Sequence, residues 1–205
     1  PVRIAWFLVG ARLVGRRSRM IPYLLCAVAF GLTLWASRRS LGAGMASVAV
    51  VGYSYGIVRA NLLSTPTHLL FDCAVGGLYI GVAPVVVARL SRDSRLVPVA
   101  SWAGALVAWP LTLFFVPGYE PLVQLVGLRG NAFLLPFLVV GATLEDDDLR
   151  TLTAWLAALN LAAFALALAE FSTNLRFFFP VNAVTRLIYA SNDVAGRTAY
   201  RIPSS

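Results

Sequence analysis

The sequence predicts an all-α fold, a polytopic transmembrane helical bundle of about six spans. Three observations predict it. Leu24–Trp35, Met45–Val58, Leu69–Val87, Val97–Val116, Asn131–Leu144 and Leu152–Leu168 contain no Arg, Lys or Glu, and Asp72 is their only charged residue. Hydrophobic residues make up 59% of the chain, with a mean hydropathy of +0.78. The breaks between runs are short and carry arginine. A bilayer core needs about 20 mostly apolar residues per helix, with about 17 tolerated. Helices of a soluble bundle would keep a polar face, and these runs do not.

The spans are predicted near residues 20–36, 41–58, 68–88, 96–116, 131–144 and 151–170. Arg12, Arg16, Arg17 and Arg19 form a basic cluster ahead of the first. Ser37-Arg38-Arg39-Ser40 makes the hinge to the second, whose Gly42, Gly44, Ser47, Gly52, Ser54 and Gly56 suit close packing of helix backbones. Ser64-Thr65-Pro66-Thr67 marks the start of the third, because proline is tolerated in a first turn. That span ends at the most basic hinge, Arg89 to Arg95. The fourth contains Pro110, which predicts a kink. The fifth is only 14 residues as drawn, and it gains length if Val123–Leu128 joins it. Glu145-Asp146-Asp147-Asp148 suits the first turn of the sixth, where carboxylates meet the positive end of a helix dipole. The segment 171–205 reads as an interfacial loop leading into further spans downstream. With Pro1–Gly10 read as the end of an upstream segment, the chain is expected to be the N-terminal part of a longer protein.

Charge narrows function less than it narrows location. All 17 basic residues are arginine, and the net charge of +8 sits in hinges and tails. Positive hinges reflect topology and anionic headgroups, so the lipid bilayer is the expected partner and nucleic acid is not. Cys26 and Cys73 lie in apolar runs and read as small buried residues. One histidine and no CxxC predict no metal site and no cofactor. Arginine counting leaves orientation open. A cytoplasmic N-terminus puts Arg3, Arg12, Arg16, Arg17, Arg19, Arg59, Arg129 and the four tail arginines inside, but exposes the tight hinges Arg38-Arg39 and Arg89/Arg92/Arg95 outside. The inverse arrangement reverses both.

Few residues could carry chemistry. A contiguous acidic run splays around its helix, so Glu145–Asp148 reads as capping rather than metal binding. His68 opens a helix with no carboxylate beside it in sequence, which suits a helix-end polar residue better than a general base. Asp72 is an ionisable group inside a span and demands a partner. Arg59 is the expected one, and the pair reads either as a structural ion pair or as a functional site. In the tail, Arg176, Arg186, Arg197 and Arg201 alternate with Phe177–Phe179, Tyr189 and Tyr200. Guanidinium groups with interfacial aromatics suit either headgroup anchoring or a lipid pyrophosphate held by bidentate contacts.

The tail, Arg176-Phe-Phe-Phe-Pro-Val-Asn-Ala-Val-Thr-Arg186-Leu-Ile-Tyr-Ala-Ser-Asn-Asp193 followed by Tyr200-Arg201-Ile202-Pro203-Ser204-Ser205, resembles the segment that precedes the central membrane helices of O-antigen ligase/polymerase-type proteins. Leu128-Arg129-Gly130-Asn131 through Leu144, then a charged turn and an apolar helix, is similar to the same family's preceding spans. The resemblance implies a bacterial cell-envelope enzyme, multi-pass in the inner (plasma) membrane. It implies an extracytoplasmic glycosyltransferase of polysaccharide biosynthesis, with the tail on the outer side. The donor it implies is a polyprenyl-pyrophosphate-linked glycan, and the acceptor a lipid or a growing saccharide. It carries a pyrophosphate-binding role onto Arg201, with Arg197 and Arg186 in support, and the family's histidine-bearing catalytic region would lie beyond Ser205. The competing readings are a transporter or flippase for a lipid-linked or small solute, and a non-catalytic membrane scaffold. No internal repeat supports the transporter: the Pro110 break has no counterpart in the first span.

Overall fold

A computed structural model describes residues 2–62, 64–112 and 121–173, with side chains from Met20 onward except those of residues 65, 121–127, 131–132, 170 and 173. The described residues form six α-helices and no strand: α1 (Val2–Arg39), α2 (Leu41–Asn61), α3 (Leu70–Arg92), α4 (Leu96–Thr112), α5 (Pro121–Ala142) and α6 (Asp146–Thr173). A 3₁₀ turn, Thr65–Leu69, precedes α3. Four stretches are long and apolar enough to cross a membrane: Met20–Arg39, Leu41–Asn61, Pro66–Arg92 and Asp146–Ala169. Leu96–Thr112 and Leu128–Ala142 are shorter apolar helices and pack against each other. The protein is a membrane-embedded helical bundle.

Boundaries differ from the sequence reading in two places, each for a local reason. The basic cluster does not precede the first helix but lies within it, since arginine is a good helix former and the helix runs on through Pro22 into the apolar span. The fifth helix starts at Pro121, not residue 131, so it has 22 residues rather than 14. The proline opens a first turn that runs straight through Gly130-Asn131. The sixth helix begins at Asp146 and includes the acidic turn, as expected. In the fourth, the helix runs through Pro110 to Thr112.

Contacts along the helices fix their directions. Asp72 meets Arg129, Tyr79 meets Phe133 and Phe137, and Arg89 meets Thr143, so α3 and α5 run parallel. Gly42 meets Asp148 and Tyr53 meets Asn160, so α2 and α6 run parallel too. The bundle therefore has two ends. The hinge end gathers Ser40, residues 93–95 and residues 143–145. The tail end gathers residues 62–69, the start of α3 and the end of α6.

Helix α3 is the hub, touching α1, α2, α4 and α5. Its Ala74, Val75 and Leu78 are fully buried, with Leu70 and Val82 close behind. In lipid, helices gain little from hiding apolar surface from one another, so close backbone approach matters more. Gly77 and Gly81 supply it against α1. A Cβ on Gly77 would lie 2.5 Å from the Phe30 carbonyl oxygen, and one on Gly81 2.5 Å from the Ser37 Cβ. On α2, Gly44 lies against Ser37 and Leu78, and Gly42 against the Asp148 backbone. Of the other small residues on α2, Gly52 makes only ordinary contact with the Phe71 ring and Gly56 faces open space. Ser47 and Ser54 donate back into their own helix. Large apolar side chains such as Trp102, Trp109, Leu134, Leu161 and Phe164 point outward, as lipid requires.

Gly81→Val should destabilise the α1–α3 contact by about 1–3 kcal/mol, the usual cost of forcing extra carbons into a packed site. Gly56→Ala, in open space within α2, should not destabilise and should gain up to about 1 kcal/mol from helix propensity. Thermal unfolding of the purified protein in detergent checks both, and equal melting temperatures for the two variants would contradict the packing described.

Candidate functional site: a charged pair at the tail end of the bundle

Asp72 lies in the first turn of α3, where the helix dipole favours a carboxylate. Its partner is Arg129, not the expected Arg59. Arg129 Nε donates to Asp72 Oδ1 at 2.9 Å and Nη2 donates to the same oxygen at 2.5 Å. Nη2 also donates to the His68 carbonyl at 3.1 Å. The reason for the change of partner lies in α5. With ten further residues added at its N-terminal side, Arg129 falls inside a helix parallel to α3, at the level of Asp72. Arg59 sits in the last turn of α2, one turn beyond Tyr55 on the same face. Tyr55 already rests on the Phe71 ring, with centroids 6.5 Å apart, and donates to the His68 carbonyl at 3.5 Å. Arg59 Nε is buried and finds no hydrogen-bond partner among the described residues.

The surroundings hold the pair in place. The Arg129 guanidinium lies 5.8 Å from the Phe133 ring centroid, within cation–π range. The 3₁₀ turn beneath is pinned by Thr67 Oγ1, which donates to the Leu62 carbonyl at 2.9 Å and bonds Ser64 Oγ at 2.7 Å. Cys26 donates its thiol to the Pro66 carbonyl at 3.3 Å, so this cysteine is buried as expected and also ties α1 to the turn. His68 contributes its backbone rather than its imidazole: its carbonyl collects Arg129 and Tyr55. That agrees with a helix-end role for it. Asp72 keeps 15% of its side-chain surface and Arg129 keeps 37%. The pair is half open, not entombed.

The hinge end is charged as well, but its charges are spent on structure. Asp148 is only 8% exposed. Its Oδ1 accepts from the Gly42 backbone N–H at 2.9 Å and its Oδ2 from that of Glu145 at 3.4 Å. One carboxylate thus serves the N-termini of α2 and α6 together, the capping role expected for the acidic run. Arg89 donates to the Thr143 carbonyl and, at 2.6 Å, to Glu145. Among the described residues no three His, Cys, Asp or Glu side chains gather as a metal site. Arg186, Arg197 and Arg201 lie outside the described residues.

Sequence reasoning found Asp72 and its need for a cation but missed Arg129, Tyr55 and Phe133. The overlooked signal was Pro121, which extends α5 and brings Arg129 into the bundle. Asp72→Asn should be milder than Asp72→Leu, because asparagine still accepts a hydrogen bond while leucine strands the guanidinium. Removing one partner of a fully buried pair costs about 3–5 kcal/mol; with Arg129 this exposed, about 2 kcal/mol is expected for Asp72→Leu. Folded yield and melting temperature in detergent measure the difference. Equal tolerance of both substitutions would mean the pair holds nothing.

Compared with protein-family models, with curated proteins and with solved structures, the chain matches none.

Proposed function

We propose that this chain is the N-terminal part of an integral inner-membrane glycan ligase or polymerase, which transfers a saccharide from a polyprenyl-pyrophosphate carrier to a lipid or saccharide acceptor. The reading rests on the resemblance of residues 128–144, 176–193 and 200–205 to O-antigen ligase/polymerase-type proteins. One observation supports it most. The parity of the helices brings Arg129, from the first resembling stretch, to the end of the bundle at which α6 releases the second. The reading sets Arg129 and the tail arginines at one membrane face, where a lipid-linked donor presents its phosphates. An extracytoplasmic tail also puts Arg38, Arg39, Arg89, Arg92, Arg95 and Arg150 in the cytoplasm, in or beside short hinges, in keeping with the positive-inside bias. The N-terminal arginines run against that bias. A wholly helical α1 carries them at the tail end.

The chemistry asked of such a site is specific. An acceptor hydroxyl attacks the anomeric carbon, the bond from that carbon to the pyrophosphate oxygen breaks, and polyprenyl pyrophosphate leaves with the electron pair. The hydroxyl proton passes to a base. Negative charge grows on the leaving pyrophosphate, which a guanidinium fork stabilises more as the bond breaks. Arg201 is assigned that grip, with Arg197 and Arg186 as supporting cations.

Lysine at position 201 keeps the charge and loses the fork. A charge-assisted contact is worth about 1.5–3 kcal/mol, so Arg201→Lys should slow transfer by about 10- to 150-fold at unchanged membrane abundance. Glycan transfer by the full-length protein measures it. Normal transfer would reduce Arg201 to a headgroup anchor, which either cation can serve. Orientation has its own test. A single cysteine at Ser191 or Ser204, with Cys26 and Cys73 replaced, should label from outside intact cells. Labelling only after the inner membrane is permeabilised would reject both the orientation and the glycan-transfer reading.

A further inference from the structure

The close approach that seats α1 on α3 also sets their register. Gly77 lies against the Phe30 carbonyl, and Gly81 against Leu34 and Ser37, so the two helices run parallel with residue numbers rising together. One turn nearer the tail end, the positions four residues back from Phe30 and Gly77 are Cys26 and Cys73. Residues four apart share a helix face. The contact that lays Phe30 on Gly77 therefore turns the two cysteines toward each other. They meet there: the Cys73 thiol lies within hydrogen-bonding reach of the Cys26 thiol. Both thiols are free.

The chain has two cysteines, and the fold brings those two together. As small apolar fillers they would have no reason to share one contact. A disulfide needs two β-carbons facing each other at close range, which is what parallel helices drawn together by glycine at the next turn provide. The two environments differ. Cys26 is buried and donates its thiol to the Pro66 carbonyl at 3.3 Å. Cys73 is partly exposed near the start of α3, directly after Asp72. Among the described residues no third His, Cys, Asp or Glu joins the pair as a metal site, and a structural zinc takes four ligands. The geometry suits a bond between the sulfurs better than a shared ion.

We propose that Cys26 and Cys73 are a disulfide-forming pair, a covalent tie between α1 and α3 at the tail end of the bundle that closes on oxidation and opens on reduction. The oxidant is a disulfide, carried by a protein or a small molecule. Cys73, the more exposed, loses its proton and attacks one donor sulfur; the donor S–S bond breaks and a mixed disulfide forms. Cys26 then gives up its thiol proton and attacks the Cys73 sulfur, expelling the second donor thiolate. Two electrons pass to the donor, which takes up two protons and leaves as thiol. Closure also strips the Pro66 carbonyl of its thiol donor. Helix α1 thus exchanges a hydrogen bond to the 3₁₀ turn for a bond to α3 beside Asp72. In the extracytoplasmic orientation proposed above, the tail end faces an oxidising compartment, where disulfides persist. The pairing itself does not depend on that reading.

The wild-type full-length protein in isolated membranes carries the test, so no variant has to fold. After treatment with oxidised glutathione, digestion without reductant should release a cross-linked peptide pair carrying Cys26 and Cys73, lighter by two hydrogen atoms than the two reduced peptides together. Dithiothreitol should return both thiols. Cysteines that stay free, or that carry only glutathione, would overturn the proposal. A second chain checks the register. Cys73→Ala combined with Gly76→Cys moves the thiol to a position of α3 that faces open space, and it should not close a bond with Cys26. Closure as complete as in the wild type would show that helix motion, not register, brings the sulfurs together, and would also overturn the proposal. Trapping thiols in growing cells separates this inference from the orientation. A pair found oxidised in cells supports both. A pair that closes in membranes but stays reduced in cells would keep the tie and count against an extracytoplasmic tail end.

Discussion

Everything in this bundle depends on how closely α3 can approach its neighbours. In a bilayer the apolar side chains of two helices are as well off in lipid as against each other, so adhesion falls to backbone proximity and to polar contacts that lipid cannot supply. Gly77 and Gly81 provide the first, letting α1 lie directly on α3. Asp72, Tyr79 and Arg89 provide the second, three polar ties spaced along one side of α3 that hold α5. Remove the closeness and the ties lose their register; remove the ties and α5 has only apolar contact to keep it from drifting into lipid.

The charges divide by task. At the hinge end they satisfy helix termini, so Asp148 and Arg89 consume backbone groups that would otherwise be orphaned at the edge of an apolar phase. At the tail end the same residue types are left partly unused. Among the described residues, Asp72 Oδ1 takes both Arg129 hydrogen bonds and Arg59 Nε is buried without a partner. Unspent polar capacity in a membrane protein is costly. It is concentrated at the end of the bundle where α6 ends.

Much of the architecture was legible without coordinates. Apolar run length fixed the number and order of the helices, and the acidic turn of α6 was readable as a cap because carboxylates favour a helix start. Interhelical pairing was not legible. Asp72 advertised that it needed a cation, yet a choice between Arg59 and Arg129 depends on the depth of each in the membrane, and that depends on where α5 begins. A break at Gly130-Asn131 was overruled by Pro121 and by tertiary packing on α3. The glycines that matter most on α3 were hidden for a different reason. Gly77 and Gly81 sit in an unbroken apolar run, and only the face they share shows them to be a contact surface, while the more numerous small residues of α2 include Gly56, which touches nothing.

The attachment of α6 has a mechanical consequence. It packs chiefly on α2. Asp148 anchors its root and Asn160 accepts from Tyr53 at 2.7 Å midway. At about 1.5 Å per residue the helix is a lever about 40 Å long, so a tilt of about 5° at the Asp148 end would move its far end by about 3.5 Å. That is a full hydrogen-bond length of travel, delivered to the point from which the tail arginines set out, by an angular change too small to disturb the anchor itself.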